Sequence, residues 1–423
     1  MRFLVLIFPS LLAAAVQLTV LNSLDNQPVP RAQVVTADGV RFTDANGRVT
    51  LGEDAGSVRV KAYGFRPLQG KIDPDAVHTT LYAHPLLVKA LYLSFWGASS
   101  EERLDAILKL ARTTEINAVV IDVKNELGLT SYKTGVQAAC DISAHRNRTI
   151  KDMQRFMQAL KSEGIYTIGR IVVFKDDLRS EQHPETAVRD AHGNPWQNGE
   201  GLGWLDPFIV SNHDYNIDIA EDAARVGFDE INFDYIRFPE TPGLQFAREN
   251  NPENRIRAVS AFLERAKARL TPYGVFLSVD TFGHISWDKG DTGIGQTMAS
   301  MKEYVDYFSP MLYPSGFAKG FMGLEDPTSD VYKVVSESLR QLDVEPVRIR
   351  PWLQAFRDYA HSRTPFRARR IREQIMAAEC HGSGGWLLWN PSSRYQGADI
   401  KNGSLEWSNF ARYSGKAGSP YPN

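Results

Sequence analysis

Three aspartates stand at the ends of short β-forming runs. Asp122 lies in Ala118-Val-Val-Ile-Asp-Val123, Asp234 closes Glu230-Ile-Asn-Phe-Asp234, and Asp280 closes Val275-Phe-Leu-Ser-Val-Asp280. Carboxylates on neighbouring strand ends can cleave a glycosidic bond, because one protonates the leaving oxygen while another attacks the sugar or activates water. Asp234 and Asp280 form the first candidate pair. Arg237, three residues on, would keep Asp234 ionised and suit it to be the nucleophile, leaving Asp280 as the acid/base. Asp122 is a rival for either role. A carboxyl separation of about 5–5.5 Å would make the pair retaining, the outcome expected here, and roughly 6.5–9.5 Å would leave room for an inverting water. Each aspartate also has a plainer reading: Asp234 as a loop cap or partner of Arg237, Asp280 as a cap before Gly283, Asp122 as an ion pair with Lys124 or Arg170.

For these residues to meet, their strands must converge. From Lys89 onward, strand candidates at 90–95, 118–123, 166–173, 230–234, 275–280, 307–312, 347–353 and 385–389 alternate with helical patterns such as 99–111, 149–160 and 252–270. Eight such units predict an α/β fold of the (β/α)8 TIM-barrel type, with its chemistry at the C-terminal strand ends. Pro239 stops the stretch 228–239 abruptly by removing a backbone donor. Gly164, Gly227 and Gly274 follow helical segments where a left-handed residue is wanted. Other strand ends would contribute Lys124, Arg170, Tyr313, Trp352, Gln354, Trp389 and Asn390, with Glu126 following strand two. The long connection 174–211 adds Trp204. Carboxylates and amides bond hydroxyl groups and aromatic rings cover sugar faces, so this lining suits a polyhydroxylated ligand.

Ahead of the barrel, residues 17–85 alternate in the strand manner between turn signals such as Asp38-Gly39 and Asp44-Ala-Asn-Gly47, predicting a small all-β sandwich. Residues 1–15 carry Arg2, an apolar run and Ala13-Ala-Ala15, the pattern of a secretory signal cleaved after Ala15. That run is too short to span a membrane, and no later stretch is apolar enough. The expected organisation is a signal at 1–15, a sandwich at 17–85 and a barrel at 89–415, in a protein exported to the periplasm, cell envelope or medium.

Among 423 residues, 48 basic ones face 50 acidic ones without a block of either sign, which gives no footprint for nucleic acid. No glycine-rich phosphate loop follows a strand, and the nine His include no H-E-x-x-H, so neither a nucleotide cofactor nor a metal is expected. Cys140 and Cys380 read as two independent small core residues rather than a disulfide.

The stretch 228–239, with Ala118-Val-Val-Ile-Asp-Val-Lys-Asn-Glu-Leu-Gly128, Ser309-Pro-Met-Leu-Tyr-Pro314 and Gly384-Gly-Trp-Leu-Leu-Trp-Asn-Pro391, resembles the putative glycosyl hydrolase domain family, a TIM-barrel group related to the α-amylase clan. The likeness runs from about Lys89 to Tyr395 and implies a carbohydrate substrate. An α-amylase arrangement would place the nucleophile at the end of strand four, selecting Asp234, and an acid/base at the end of strand five. The α-amylases carry Glu there, where this chain has Asp280. They also carry an arginine two residues before the nucleophile, where this chain has Asn232. A looser similarity to the chitinase-type barrels of glycoside hydrolase family 18 lays their D-x-x-D-x-D-x-E on Asp229, Asn232, Asp234 and Ile236, so their catalytic Glu is missing. The N-terminal segment resembles the carboxypeptidase-regulatory-like or transthyretin-like sandwich, which implies a non-catalytic accessory module.

The expected function is therefore an exported glycoside hydrolase acting on a polysaccharide of the wall or an exopolysaccharide. The alternative is a carbohydrate-binding protein of the cell envelope built on a degenerate glycosidase barrel.

Overall fold

The computed structural model describes residues 16–52, 56–73 and 76–400. The expected secretory signal, and the barrel's expected tail beyond residue 400, lie outside them.

Seven short strands come first: β1 (Val16–Asn22), β2 (Gln33–Thr36), β3 (Gly39–Phe42), β4 (Arg48–Leu51), β5 (Ser57–Lys61), β6 (Leu68–Lys71) and β7 (His78–Ala83). They form a three-stranded sheet in the order β4-β1-β7 and a four-stranded sheet in the order β3-β2-β5-β6. Alternation explains the packing, since Leu18, Val20, Val34, Val49, Leu51, Val58 and Val60 share one apolar core between the sheets. Two of these strands, β3 and β6, escape a reading by apolar alternation. Both are four residues long and mostly exposed or half-buried.

The second unit is the eight-stranded parallel barrel: β8 (Val88–Leu93), β9 (Ala118–Lys124), β10 (Tyr166–Val172), β11 (Glu230–Asp234), β12 (Phe276–Thr281), β13 (Tyr307–Pro310), β14 (Trp352–Gln354) and β15 (Gly385–Trp389). Pairing runs β13-β12-β11-β10-β9-β8-β15-β14. Closure between β13 and β14 is made by parallel bridges Phe308–Ile349 and Met311–Trp352. The seventh strand is much shorter than its expected 347–353. Pro346–Arg348 forms a 3-10 turn, and Pro351 has no N–H to place in the ladder.

Helices cover the barrel and start where their caps dictate. Ser100, Asp152 and Asn251 each accept a backbone N–H at the head of Glu101–Thr113, Met153–Ser162 and Pro252–Leu270. The helix Val210–Val226 ends at Gly227, whose φ of 109° lies in the region only glycine enters freely.

Inside the barrel, side chains stack in layers. At the N-terminal end, Arg350 bonds Glu230 with both side chains fully buried, and the Tyr166 hydroxyl donates to the same glutamate at 2.7 Å. The sandwich seals this end. Lys61 of β5 pairs with Asp306 at 2.6 Å, and Arg59 donates to the Pro272 carbonyl at 2.7 Å. The opposite, C-terminal end is left to the aspartates.

Candidate active site

Strand register brings the three aspartates together. Arg170 of β10 lies opposite Asp122 of β9 on one side and Asn232 of β11 on the other, while Phe233 pairs with Val279 of β12. Residues two apart share a face, so Asp122, Arg170, Asn232, Asp234 and Asp280 all point into the barrel's upper layer. All five are buried.

Arg170 is the hub. Its Nη1 donates to Asp122 Oδ1 at 2.6 Å, its Nε to Asp234 Oδ2 at 3.0 Å, and its Nη2 to that same Asp234 oxygen. Asp280 Oδ2 lies 3.8 Å from Nε. Both members of the first candidate pair thus approach a single nitrogen. The far oxygen of Asp122 accepts the Tyr92 hydroxyl at 2.5 Å and the Phe95 N–H at 2.9 Å. Asp280 Oδ1 accepts Asn232 Nδ2 at 2.9 Å and Trp352 Nε1 at 2.7 Å.

Burial, with the charge of Asp234 added, pushes Asp280 well above the ordinary carboxylate range. Burial also raises Asp122, against the opposing pull of Arg170. Asp234 takes two donors from the guanidinium and a third, at 2.6 Å, from the Tyr235 N–H. Tyr235 reaches that position with φ of 52°, a left-handed backbone unusual for an aromatic residue.

Above the cluster opens a cleft of about 380 Å³, touched by Asp122 and Arg170 at its floor and by Trp96, Glu126, Tyr235 and Trp389 around it. Trp389 stacks on Tyr92 with centroids 3.8 Å apart, and Arg170 sits 5.0 Å from its ring centre. Trp96 is 56% exposed at the mouth. Asp234 and Asp280 lie just beneath the floor and do not line the open cleft.

Residues 90–395 match the model of the family described as Putative glycosyl hydrolase domain. The chain belongs to that family. A solved hypothetical protein from Ruminiclostridium thermocellum is 37% identical over 45% of this chain and 96% of its own, with a TM-score of 0.41. The PgaB (BpsB) glycoside hydrolase domain from Bordetella bronchiseptica aligns with 75% of this chain and all of its own at 13% identity and a TM-score of 0.55. An α-L-fucosidase isoenzyme from Paenibacillus thiaminolyticus aligns with 75% of this chain and 48% of its own at 14% identity and a TM-score of 0.51. The last two likenesses establish a shared barrel fold. No curated protein matches.

Within this glycosyl hydrolase domain, several residues expected at the cleft stand elsewhere. Lys124 is fully buried on the outer side of the barrel, bonded to Asp176 at 2.5 Å beneath the Tyr215 ring. The cause is a bulge: Arg170 pairs with Asp122, but its neighbour Ile171 pairs with Lys124, so Val123 and Lys124 both face the helices. Asp176, not Asp122, is the partner of Lys124. Arg237 is not the cation of Asp234 either. It points toward Glu240 at 3.7 Å and covers the rings of Trp204, Tyr235 and Phe282. Trp204 itself is only 3% exposed. Trp352 is buried below the floor, serving Asp280 rather than a ligand. Gln354 bonds Ser315 and Gln374, and Asn390 holds the carbonyls of Ala355 and Arg394. Tyr313 stays half-buried against Phe356, its phenol pushed well up by burial and then by Asp280.

Tyr92 and Trp96, on and just after β8, are site residues that strand-end reasoning passes over. Trp96-Gly97 directly after a strand is the available signal for the second. The cysteines are free thiols, Cys140 half-buried and Cys380 exposed, so Cys380 is not a core residue.

Proposed function

We propose that this protein is an exported glycoside hydrolase that cleaves a polysaccharide by a two-carboxylate, retaining mechanism. The observation that carries the reading is the approach of Asp234 and Asp280 to one Arg170 nitrogen, with burial pushing Asp280 toward its protonated form. Asp234 attacks the anomeric carbon while Asp280 gives its proton to the departing glycosidic oxygen. Water, deprotonated by Asp280, then releases the sugar from Asp234. Asp122 acts as the fixed anion that orients Arg170. Trp389 and Trp96 offer ring faces to the sugar, and Tyr235 closes the side of the cleft. Because Asp234 and Asp280 lie under the floor, substrate entry requires the cleft to open by a side-chain movement, for which the strained Tyr235 is the natural hinge.

Reducing-end release across bacterial wall glycans and exopolysaccharides tests this. Asp280→Asn is expected to lose about 10²–10⁴-fold in kcat, and Asp234→Asn several orders of magnitude. Binding of one glycan by wild type and both variants alike, without any cleavage, would replace the enzyme by a carbohydrate-binding protein. The cleft with its exposed Trp96 is the feature that favours that second reading.

A further inference from the structure

The four-stranded sheet of the sandwich turns its outer face toward the N-terminal end of the barrel. Arg59 and Lys61 of β5 make the junction, Lys61 also donating to the Val275 carbonyl at 3.0 Å. Gln33 pairs across the strands with Lys61 on one side and with Phe42 on the other, so all three share that face. Toward β3, the edge of the sheet, the two units separate. Between them lies a cleft of about 970 Å³, walled by Val40, Phe42 and Tyr63 on the sandwich and by the 302–306 and 342–348 stretches of the barrel.

Tyr63 is partly used by the fold, its ring edge-on to Tyr307 at 5.8 Å and 5.2 Å from the Arg348 guanidinium, whereas no ring or cation contact reaches Phe42 among the described residues. Phe42 is 62% exposed, Tyr63 42% and Val40 39%. An uncovered phenylalanine on an edge strand is a liability that a single domain ordinarily removes. Charged groups with no ion pair among the described residues line the cleft on both walls: Arg31 beside Tyr63 on the sandwich, and Lys302 and Asp343 on the barrel. They supply donors and an acceptor at the width of a groove. With both signs present, the groove has no field that selects an acidic ligand.

We propose that this cleft is a second glycan-binding site, holding a segment of neutral polysaccharide at the end of the barrel opposite the aspartates. An aromatic face such as that of Phe42 for the apolar side of a sugar ring, beside donors and acceptors for hydroxyls, is the chemistry such a chain recognises. The volume is that of an ordinary ligand site. The inference rests on the carbohydrate reading of the protein, but not on catalysis. A polymer held here leaves the cleft above Asp122 free, so the site tethers rather than cuts.

The test is affinity electrophoresis of the full chain in gels cast with neutral polysaccharides (laminarin, galactomannan, xyloglucan, dextran) and with acidic alginate, alongside hydrolysis of short oligosaccharides. At least one neutral polymer should retard the wild type. Phe42→Ala should weaken that retardation about tenfold, as expected for one lost ring face, and Phe42→Trp should restore it. Asp234→Asn should be retarded like wild type. Equal retardation of wild type and Phe42→Ala, retardation by alginate alone, or none in any gel would overturn the proposal. So would a dimer in light scattering that Phe42→Ala dissociates, which would make the wall an interface between copies. Full hydrolytic activity in Asp234→Asn would overturn the catalytic assignment alone, since the difference between wild type and Phe42→Ala in the gels reports on this cleft whether or not any bond is cut.

Discussion

Arg170 lies level with Asn232 in the sheet, yet its guanidinium reaches the Asp234 carboxylate one step higher, donating from Nε at 3.0 Å and again from Nη2. A cation is thereby delivered to the aspartate from the neighbouring strand, where a local reading would look to Arg237. Removing it strands buried charge. Arg170→Met leaves Asp122 and Asp234 without their cation and should cost about 3–5 kcal/mol, read as a lower midpoint in urea with an unchanged slope.

Asp280 makes stability depend on pH in a defined sense. Its folded pKa is raised by burial and by Asp234, so the native state binds the proton more tightly than the unfolded chain. The stabilisation it gives is complete below the unfolded aspartate value and is lost as pH rises toward the folded one. An amide oxygen can accept the Asn232 and Trp352 hydrogens as the carboxyl does. Asp280→Asn should therefore match wild type in thermal midpoint at acid pH and equal or exceed it at pH 7–8. A variant that falls progressively below wild type as pH rises would contradict this. Under the proposed mechanism the same proton should set the basic limb of the kcat profile, read from kcat against pH.

The barrel was legible because its strands are continuous β-forming runs, and the helix caps Ser100, Asp152 and Asn251 sit just before apolar periodicity. Which aspartates converge followed from the strand ends. What escaped was anything set by register. Lys124 and Asp122 are two apart and read as sharing a face, but the bulge between them is a pairing shift that no residue type announces. Arg237 and Asp234 are three apart and read as partners, but the left-handed turn at Tyr235 redirects the chain after the aspartate.

That turn can be tested by itself. Tyr235→Ala and Tyr235→Gly both lose the ring, but only glycine relieves the positive φ. The glycine variant should be more stable than the alanine one by about 1 kcal/mol, the reverse of the usual order, measured as paired denaturant midpoints.

Trp96 separates binding from chemistry. It is exposed and makes one edge contact with Phe95, so Trp96→Ala should shift stability by no more than about 0.5 kcal/mol. On a cleaved glycan it should raise KM roughly three- to tenfold by losing one stacking face, with kcat nearly unchanged.

The bulge in β9 has a consequence for how this strand can change over time. Up to Asp122 the odd and even positions divide cleanly between lumen and shell, and after Val123 the parity is exchanged. One strand thus answers to two demands, the pocket at its earlier positions and the helical jacket at its last. Were Val123 paired regularly with Ile171, the bulge would vanish, the Lys124 ammonium would turn inward beside Arg170, and Asp176 would be orphaned in the shell. Register, more than composition, is what keeps the ammonium in the shell.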